Sequence, residues 1–371
     1  MGKNEKFGRS SRRALFFIAA AAFLVLCAWL GSSHRRAAES SPNPLTTPQS
    51  ALFVTLLPSP KPTSPPTPIP TPDGLTAAYG TSTVAWISDT QHYSVKAPEV
   101  FQQMTRFLSD ERARMNLVYI VHTGDFVDEN SSVSQWESAA GAMKTLENIP
   151  YGVLAGNHDV GGEMDFGLYG KYFGEEVMRK RPESAYYGGS YKNNRGHYDL
   201  VDIGENRFVF AYMSYSPDAD GIRWLNGVFK EYRDRAGVLC LHDYFKTDMS
   251  YSPSGETLLK KVVKKNPNIY LVLCGHRYTV GHKPLDLDDD GDGQSDRRVY
   301  ELMQNYQTAG KIGGSGYMQF LQFDDTKKEV RVVSYSPYTN DRRYHDTLGA
   351  ELEKYPVDPE QEEYSFSYPW G

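Results

Sequence analysis

Cysteine is scarce in this chain: three in 371 residues, at positions 27, 240 and 274. So few leave no disulfide framework to hold a fold together. Cys240 and Cys274 sit inside the apolar runs VLCL and LVLC and read as buried thiols on neighbouring strands; a disulfide between them is the alternative that an exported chain keeps open. Excess positive charge is also missing. With 40 Lys and Arg against 46 Asp and Glu the formal charge is -6, and no basic block occurs outside the first residues and the HRR at 34–36. A generic nucleic-acid or anionic-membrane binder is thereby disfavoured. Internal repeats are absent too, since YSP at 215, 251 and 335 is too short to define a period. What remains, at 40% apolar and 23% charged residues, is a globular chain long enough for one large or two ordinary domains.

The one long apolar run lies at the N-terminus. Lys3, Lys6, Arg9, Arg12 and Arg13 precede ALFFIAAAAFLVLCAWLG at 14–31, an uncharged segment of bilayer-spanning length. The positive-inside rule predicts a cytoplasmic segment over 1–13, a signal anchor or cleaved signal peptide over 14–31, and an extracytoplasmic remainder, tethered or secreted. Leu26 before Cys27 does not suit lipidation. Residues 37–73 hold 11 of the 22 prolines, so 32–79 reads as a disordered Pro/Ser/Thr stalk ahead of one globular domain at 80–371.

Within that domain, apolar β-branched runs begin near 83, 117, 151, 207, 237 and 269, and their lack of alternation predicts strands covered on both faces. Helical segments are expected at 97–115, 133–147, 221–235 and 254–265, which implies right-handed crossovers and a largely parallel sheet. Later segments (GHYDLVDIG, RRVYELMQ, GYMQFLQFD, EVRVVSYSP) alternate and predict antiparallel strands packed beside or against it. The Tyr-rich tail EEYSFSYPWG reads as surface packing.

Five of the apolar runs end in metal-type side chains: Asp89 in ISDTQH, Asp125 in HTGDFVDE, Asn157 and His158 in AGNHD, His242 in CLHDY, His276 in CGHRY. In an open parallel sheet the carboxyl ends of the strands share one edge, so these groups are expected to converge there. Carboxylate, amide oxygen and imidazole together suit a divalent transition metal such as Mn, Zn or Fe.

These ordered blocks resemble the calcineurin-like metallophosphoesterase superfamily, whose signature runs D-x-H, G-D-x-x-D, G-N-H-D/E, a lone H, then G-H-x-H. The likeness covers about 82–340, and GDFVD and GNHD match without a change. It implies an α/β fold of two packed mixed β-sheets flanked by helices, a four-layer α/β/β/α sandwich. It also implies a two-metal phosphoester hydrolase that uses a metal-bridging hydroxide for in-line attack. Asp125 would bridge the metals, Asp89 would serve the first, and Asn157, His242 and His276 would complete the second. His158 would protonate the leaving oxygen, oriented by Asp128.

Two blocks depart from the signature. Gln91 and Tyr278 stand where the family has first-metal imidazoles, and His92 or His282 are the nearby substitutes. Three outcomes follow: a normal pair with unusual ligands, a weak first metal, or a single metal. Glu129 and Asn130 stand where the phosphoprotein phosphatases carry Arg-Gly, and Ala155 where they carry the Arg before G-N-H; without those phosphate-clamping forks a protein phosphatase is disfavoured. Nucleotides, phosphodiesters, phospholipid headgroups and envelope polymers remain.

A second acidic cluster, DLDDDGDGQSD, places Asp288, Asp290, Asp292 and Asp296 at the spacing of half a calcium loop, but Val299 stands where a bidentate Glu is needed. A calcium-stiffened hairpin and a solvated acidic tip are both consistent with it. His122 and His197 read as structural. The expected activity is an extracytoplasmic metal-dependent phosphoester hydrolase. The rivals are a degenerate binder of the same fold and a calcium-dependent surface interaction protein.

Overall fold

The apolar runs become strands, and they lack alternation because both faces are covered. The computed structural model describes residues 74–370 except 147, 311 and 348–357. The expected cytoplasmic and membrane segments, and the stalk up to residue 73, lie outside the described residues; among those described, no helix is long and apolar enough to cross a membrane. The strands in chain order are β1 Thr81–Ile87, β2 Leu117–His122, β3 Tyr151–Val153, β4 Tyr187–Tyr191, β5 Gly196–Ile203, β6 Asn206–Met213 and β7 Ala236–Leu241. They continue with β8 Ile269–Cys274, β9 Val280–Leu287, β10 Arg297–Gln304, β11 Met318–Asp324, β12 Glu329–Ser336, β13 Asp341–Arg342 and β14 Tyr364–Ser367.

They form two mixed seven-stranded sheets. The first runs β13-β12-β11-β1-β2-β3, with β14 also on β12; the second runs β4-β5-β6-β7-β8-β10-β9. In the first, β1, β2 and β3 are mutually parallel. In the second, β6, β7, β8 and β10 are. Two mixed sheets are what the resemblance implied; the crossover reading of a largely parallel sheet is corrected in that the six apolar runs divide three and three between them. The last strand of the parallel set, RRVYELMQ, had been expected among the antiparallel ones.

Period-two alternation sorts the second sheet's side chains between two cores. Phe208, Phe210 and Tyr212 of β6 join the cluster that includes the first sheet, while Val209, Ala211 and Met213 join the one with Leu225, Phe229 and Leu258. The latter three belong to helices Ala219–Glu231 and Pro253–Lys261, each started by a side-chain cap, Asp218 on Gly221 N and Ser252 on Gly255 N. Helices Pro98–Asp110 and Val133–Lys144 bury Phe101, Met104, Trp136 and Ala139 in the first cluster. Helices therefore flank both sheets, as expected.

The same alternation settles the cysteines. Cys240 is paired across the ladder with Leu273, so Cys274, one residue on, points to the opposite face. Cys240 lies in the inter-sheet cluster and Cys274 in the helix-side cluster, and both are free thiols.

The tail is not surface packing. Residues Tyr364–Ser367 add a strand to β12; Phe366 is buried and stacks on Tyr300 at 3.9 Å, and Trp370 meets Phe208 edge-on at 5.0 Å. His282, considered above as a substitute ligand, stacks on Tyr364 at 3.7 Å and takes its place in this packing. We expect Phe366→Ala to lower the unfolding free energy by about 3 kcal/mol in urea denaturation. A loss below about 1 kcal/mol would make the tail peripheral.

Candidate metal centre

Polar side chains gather where the parallel strands of both sheets end. Asp89 and Asp125 follow β1 and β2, Asn157 and His158 follow β3, and these belong to the first sheet; His242 and His276 follow β7 and β8 in the second. The expected convergence is present, but at a rim shared by two sheets. Asp89, Asp125 and His276 leave their strands in the left-handed region, at φ 54°, 56° and 75°. Non-glycine residues adopt that conformation at a cost of order 1–3 kcal/mol, recovered from the contacts that follow.

Two glycines bring the loops after β2 and β3 together. A Cβ on Gly124, at φ 96°, would lie 2.6 Å from Gly156 N, and one on Gly156 would lie 2.1 Å from Asp125 Oδ1. Neither loop could close with a side chain there. Asp159 then ties them: its Oδ1 accepts from Phe126 N at 2.8 Å and Val127 N at 3.1 Å, and its Oδ2 from Gly156 N at 2.8 Å. Sequence reasoning gave Asp159 no role; its signal was the final letter of the GNHD block.

Asp125 is the hub. Its Oδ1 accepts from His158 N at 2.9 Å, while Oδ2 accepts from Gln91 Nε2 at 3.2 Å and lies 3.3 Å from His242 Nε2. One atom each from Asp125, His242 and His276 all fall within 4.8 Å of one another. His242 Nδ1 donates to Thr123 O at 2.8 Å, and its Nε2 is 3.0 Å from Asn157 Oδ1. That backbone bond fixes the ring so that Nε2 faces the cluster, as a ligating histidine requires. Asp89 accepts from His276 N at 3.1 Å and from Ser88 Oγ at 2.5 Å.

The buried charges fit a cation. Burial, with Asp125 alongside, raises the Asp89 carboxyl to about 7; burial and Asp125 do the same to Asp159, also to about 7. For Asp125 burial acts upward, but His242 and the His158 amide outweigh it and hold it below its usual value. Against its own burial, His242 is held up at about 10 by Asp125. Three buried carboxylates thus lean on one imidazolium, and a divalent ion would relieve that deficit by replacing its proton. Gln91 Oε1 is buried with no hydrogen-bond partner, an acceptor facing no donor, which a cation would satisfy.

His158 lies at the mouth, its side chain 40% exposed, with Nδ1 2.9 Å from Asp128 O and 3.6 Å from the Asp128 carboxylate. The expected Asp128 partnership is therefore made mainly through its carbonyl. Burial lowers the proton affinity of His158, but Asp125 and Asp128 together raise it above its usual value.

Tyr278 does not join the centre. Its ring is 52% exposed, because Arg277 N bonds back to Gly275 O and Thr279 N to Arg277 O, a tight double turn that carries residue 278 outward. His92, half-buried on helix Gln91–Lys96, feels Asp128 and His158 and stays beside the centre. His122 and His197 are structural, as read. His122 accepts from Gly124 N, contacts Thr90 Oγ1 at 3.1 Å and stacks on Phe126, while His197 lies between the rings of Tyr187 and Tyr212.

Tyr215, which sequence reasoning missed, stands against the centre with its ring 6.2 Å from His242 and 6.1 Å from His276. Its N–H donates to Ala155 O at 2.8 Å while Ser214 Oγ accepts from Ala155 N at 2.9 Å, so the end of β6 clamps the AGNHD loop.

The acidic loop is separate from the centre. Asp288, Asp290 and Asp296 place carboxylate atoms within 4.8 Å on an exposed β9–β10 tip, while Asp292 accepts from Gln294 N and Val299 lies in β10. Asp288 and Asp296 accept backbone N–H groups of the loop itself.

Residues 82–279 match the family model described as calcineurin-like phosphoesterase. An uncharacterized protein of Bacillus subtilis (strain 168), YvnB, is 42% identical over 278 residues, which is 74% of this chain and 21% of that protein. The chain therefore spans about a fifth of that relative's length. The structure of purple acid phosphatase PPD1 from yellow lupin (Lupinus luteus) seeds superposes with a TM-score of 0.50 at 10% identity, covering 77% of this chain and 54% of that one. That likeness shows the fold.

Gly156→Ala is expected to push Asp125 aside and weaken metal binding about 10- to 100-fold, with unfolding still cooperative. Calorimetric titration with Mn on the folded variant measures it. Unchanged affinity would remove the Gly156 contact from the account.

Proposed function

Because this chain belongs to the calcineurin-like phosphoesterase family, we propose that it is a metal-dependent phosphoester hydrolase working outside the cytoplasm. The observation that carries the reading is the meeting of Asp125 from one sheet with His242 and His276 from the other, ligand atoms within 4.8 Å. Asp125, Asn157, His242 and His276 would hold one ion, and Asp89, Gln91 and Asp125 a second. Divalent transition metals bound there polarise a phosphoryl oxygen and lower the pKa of water enough to provide a nucleophile near neutral pH.

The chain's own residues supply the rest. Asp125 and Asp128 raise the proton affinity of His158 against its burial, and with Nδ1 held on Asp128 O its Nε2 would be the atom to pass a proton to the departing alkoxide. Gly156 and Asp159 hold the Asn157–His158 turn against Asp125, so the acid and the ligands move as one body. Tyr215 forms an aromatic wall of the centre beside His242 and His276. Glu129, Asn130 and Ala155 provide no arginine clamp, and the uncharged run at 14–31 favours a tether, so small or polymeric phosphoesters outside the membrane are the proposed substrate class.

A second reading, a metal-binding member without turnover, is favoured by one observation: the outward turn of Tyr278 leaves the first ion no ligand from this position. Full-length protein assayed on aryl phosphate mono- and diesters with Mn, Zn or Fe separates the two. Turnover abolished by chelation and restored by Mn supports the hydrolase, and no turnover with any of these metals supports the binder. Within the hydrolase reading, His158→Ala should slow kcat about 10²- to 10⁴-fold with metal content unchanged. Gln91→His should tighten the weaker metal by about tenfold or more in calorimetric titration, since imidazole binds these ions better than a neutral amide.

A further inference from the structure

The sequence does carry one basic run that sequence reasoning passed over, KKVVKK at 260–265, and the fold joins it to further cations. Between helices Ala219–Glu231 and Pro253–Lys261, on the outer side of the second sheet, lies an open cleft of about 540 Å³. Lys230, Arg233, Lys261 and Lys265 line it, no acidic residue does, and Ile222 and Phe229 contribute an apolar part of the wall. Two of the four come from KKVVKK at 260–265, in which Val262 and Val263 are buried and the lysines are exposed.

Cations in the last turn of a helix are ordinary complements of its dipole, which by itself accounts for Lys230 and Lys261. The dipole does not account for how the neighbouring charges are partnered. Of the cations near the cleft but outside its lining, Lys260 pairs with Glu256, Arg223 with Asp220, Arg207 with Asp234 and Arg235 with Asp202, while Lys264 adds a further exposed charge without an ion pair among the described residues. The side chains of the four that line it form no ion pair or hydrogen bond among the described residues. In a chain of net charge -6, four unpartnered cations around one recess form a local field that repels itself and attracts a multiply charged anion.

We propose that this cleft holds a linear phosphate polymer, a flexible chain with one negative charge per repeat. Long lysine and arginine side chains on a recess suit several weak, adjustable phosphate contacts. A flat bilayer would reach only the rims of a recess, and no exposed aromatic lines the cleft to stack a nucleobase. The cleft lies at the starting ends of β7 and β8, whose opposite ends carry His242 and His276, so it is about 20 Å from the metal centre along a six-residue strand. It is a holding surface, separate from the site of hydrolysis, and does not depend on the chain being an active hydrolase.

The test uses full-length protein in neutral detergent and fluorescently labelled inorganic polyphosphate, read by anisotropy at about 0.1 M salt and again at higher salt. Binding that weakens with salt, and falls about tenfold or more when Lys230→Gln, Arg233→Gln, Lys261→Gln and Lys265→Gln are combined, is the expected result. Lys261→Glu alone should also weaken it, while Lys260→Gln, which alters a paired neighbour, should not. Aryl phosphate turnover and thermal unfolding should stay unchanged in the combined variant, which separates loss of the cleft from loss of the fold or of the metal centre. Equal binding by wild type and combined variant overturns the proposal. So does failure of the wild type to bind, or a charge-dependent difference seen only with micelles containing anionic phospholipid, which would make the partner a membrane.

Discussion

The contact between Asp125 and His242 is the constraint on which the centre depends, because the two residues belong to different sheets. Asp125 leaves β2 in the first sheet, His242 leaves β7 in the second, and Asp125 Oδ2 lies 3.3 Å from His242 Nε2. Sheets packed face to face are about 10 Å apart, so side chains reaching from both rims can meet only where the strand ends coincide in register. The aromatic core between the sheets, with Phe208, Phe210 and Tyr212 packed in one cluster with Tyr119 and Phe323, sets that register. Packing far from the metal centre is therefore part of its chemistry. A slip between the sheets would separate the ligands before it exposed the core.

How much of this was legible follows from which interactions are local. Strand identities were legible because TVAWIS, LVYIVHT and IYLVLCG are apolar on both faces, and the polar stops were legible because Asp89, Asp125, His242 and His276 end those runs. Two sheets were implied by the resemblance, but which strand belongs to which was not legible. β3 and β6 have the same apolar character as strands of a single sheet would have, and nothing local records that β4 and β5 intervene to start a second one. The tail was misread for a related reason. YSFS is short and half polar, and only its pairing with β12 and the stack of Phe366 on Tyr300 bury it. Tyr278 shows the limit of motif spacing. Counting two residues past His276 predicts a neighbour of the metal, but the double turn from Gly275 to Thr279 fixes where that residue points. Tyr215 carried no motif, and its position depends on two hydrogen bonds to Ala155, 60 residues away in sequence.

Gln91 shows how the two halves of the centre differ. Around His242 every polar atom has a partner: Nδ1 on Thr123 O, Nε2 between Asn157 Oδ1 and Asp125 Oδ2. Around Gln91 the amide nitrogen donates to Asp125 Oδ2 while the oxygen is buried without a donor. A buried acceptor left unsatisfied costs about 1–3 kcal/mol, and an apolar side chain of similar volume would avoid that penalty. An amide keeps its place there if the oxygen acquires a partner when the site is loaded. A neutral amide oxygen binds a divalent ion more weakly than imidazole, and Asp89, its carboxylate neighbour, already accepts from Ser88 and His276 N. In the proposed two-metal reading, Asp125, His242 and His276 would hold one ion firmly, and Asp89 and Gln91 would hold a second more loosely. A loosely held ion would exchange readily, so in the proposed hydrolase the dependence on free metal concentration would arise from the Gln91 side of the centre, while the His242 side would stay filled.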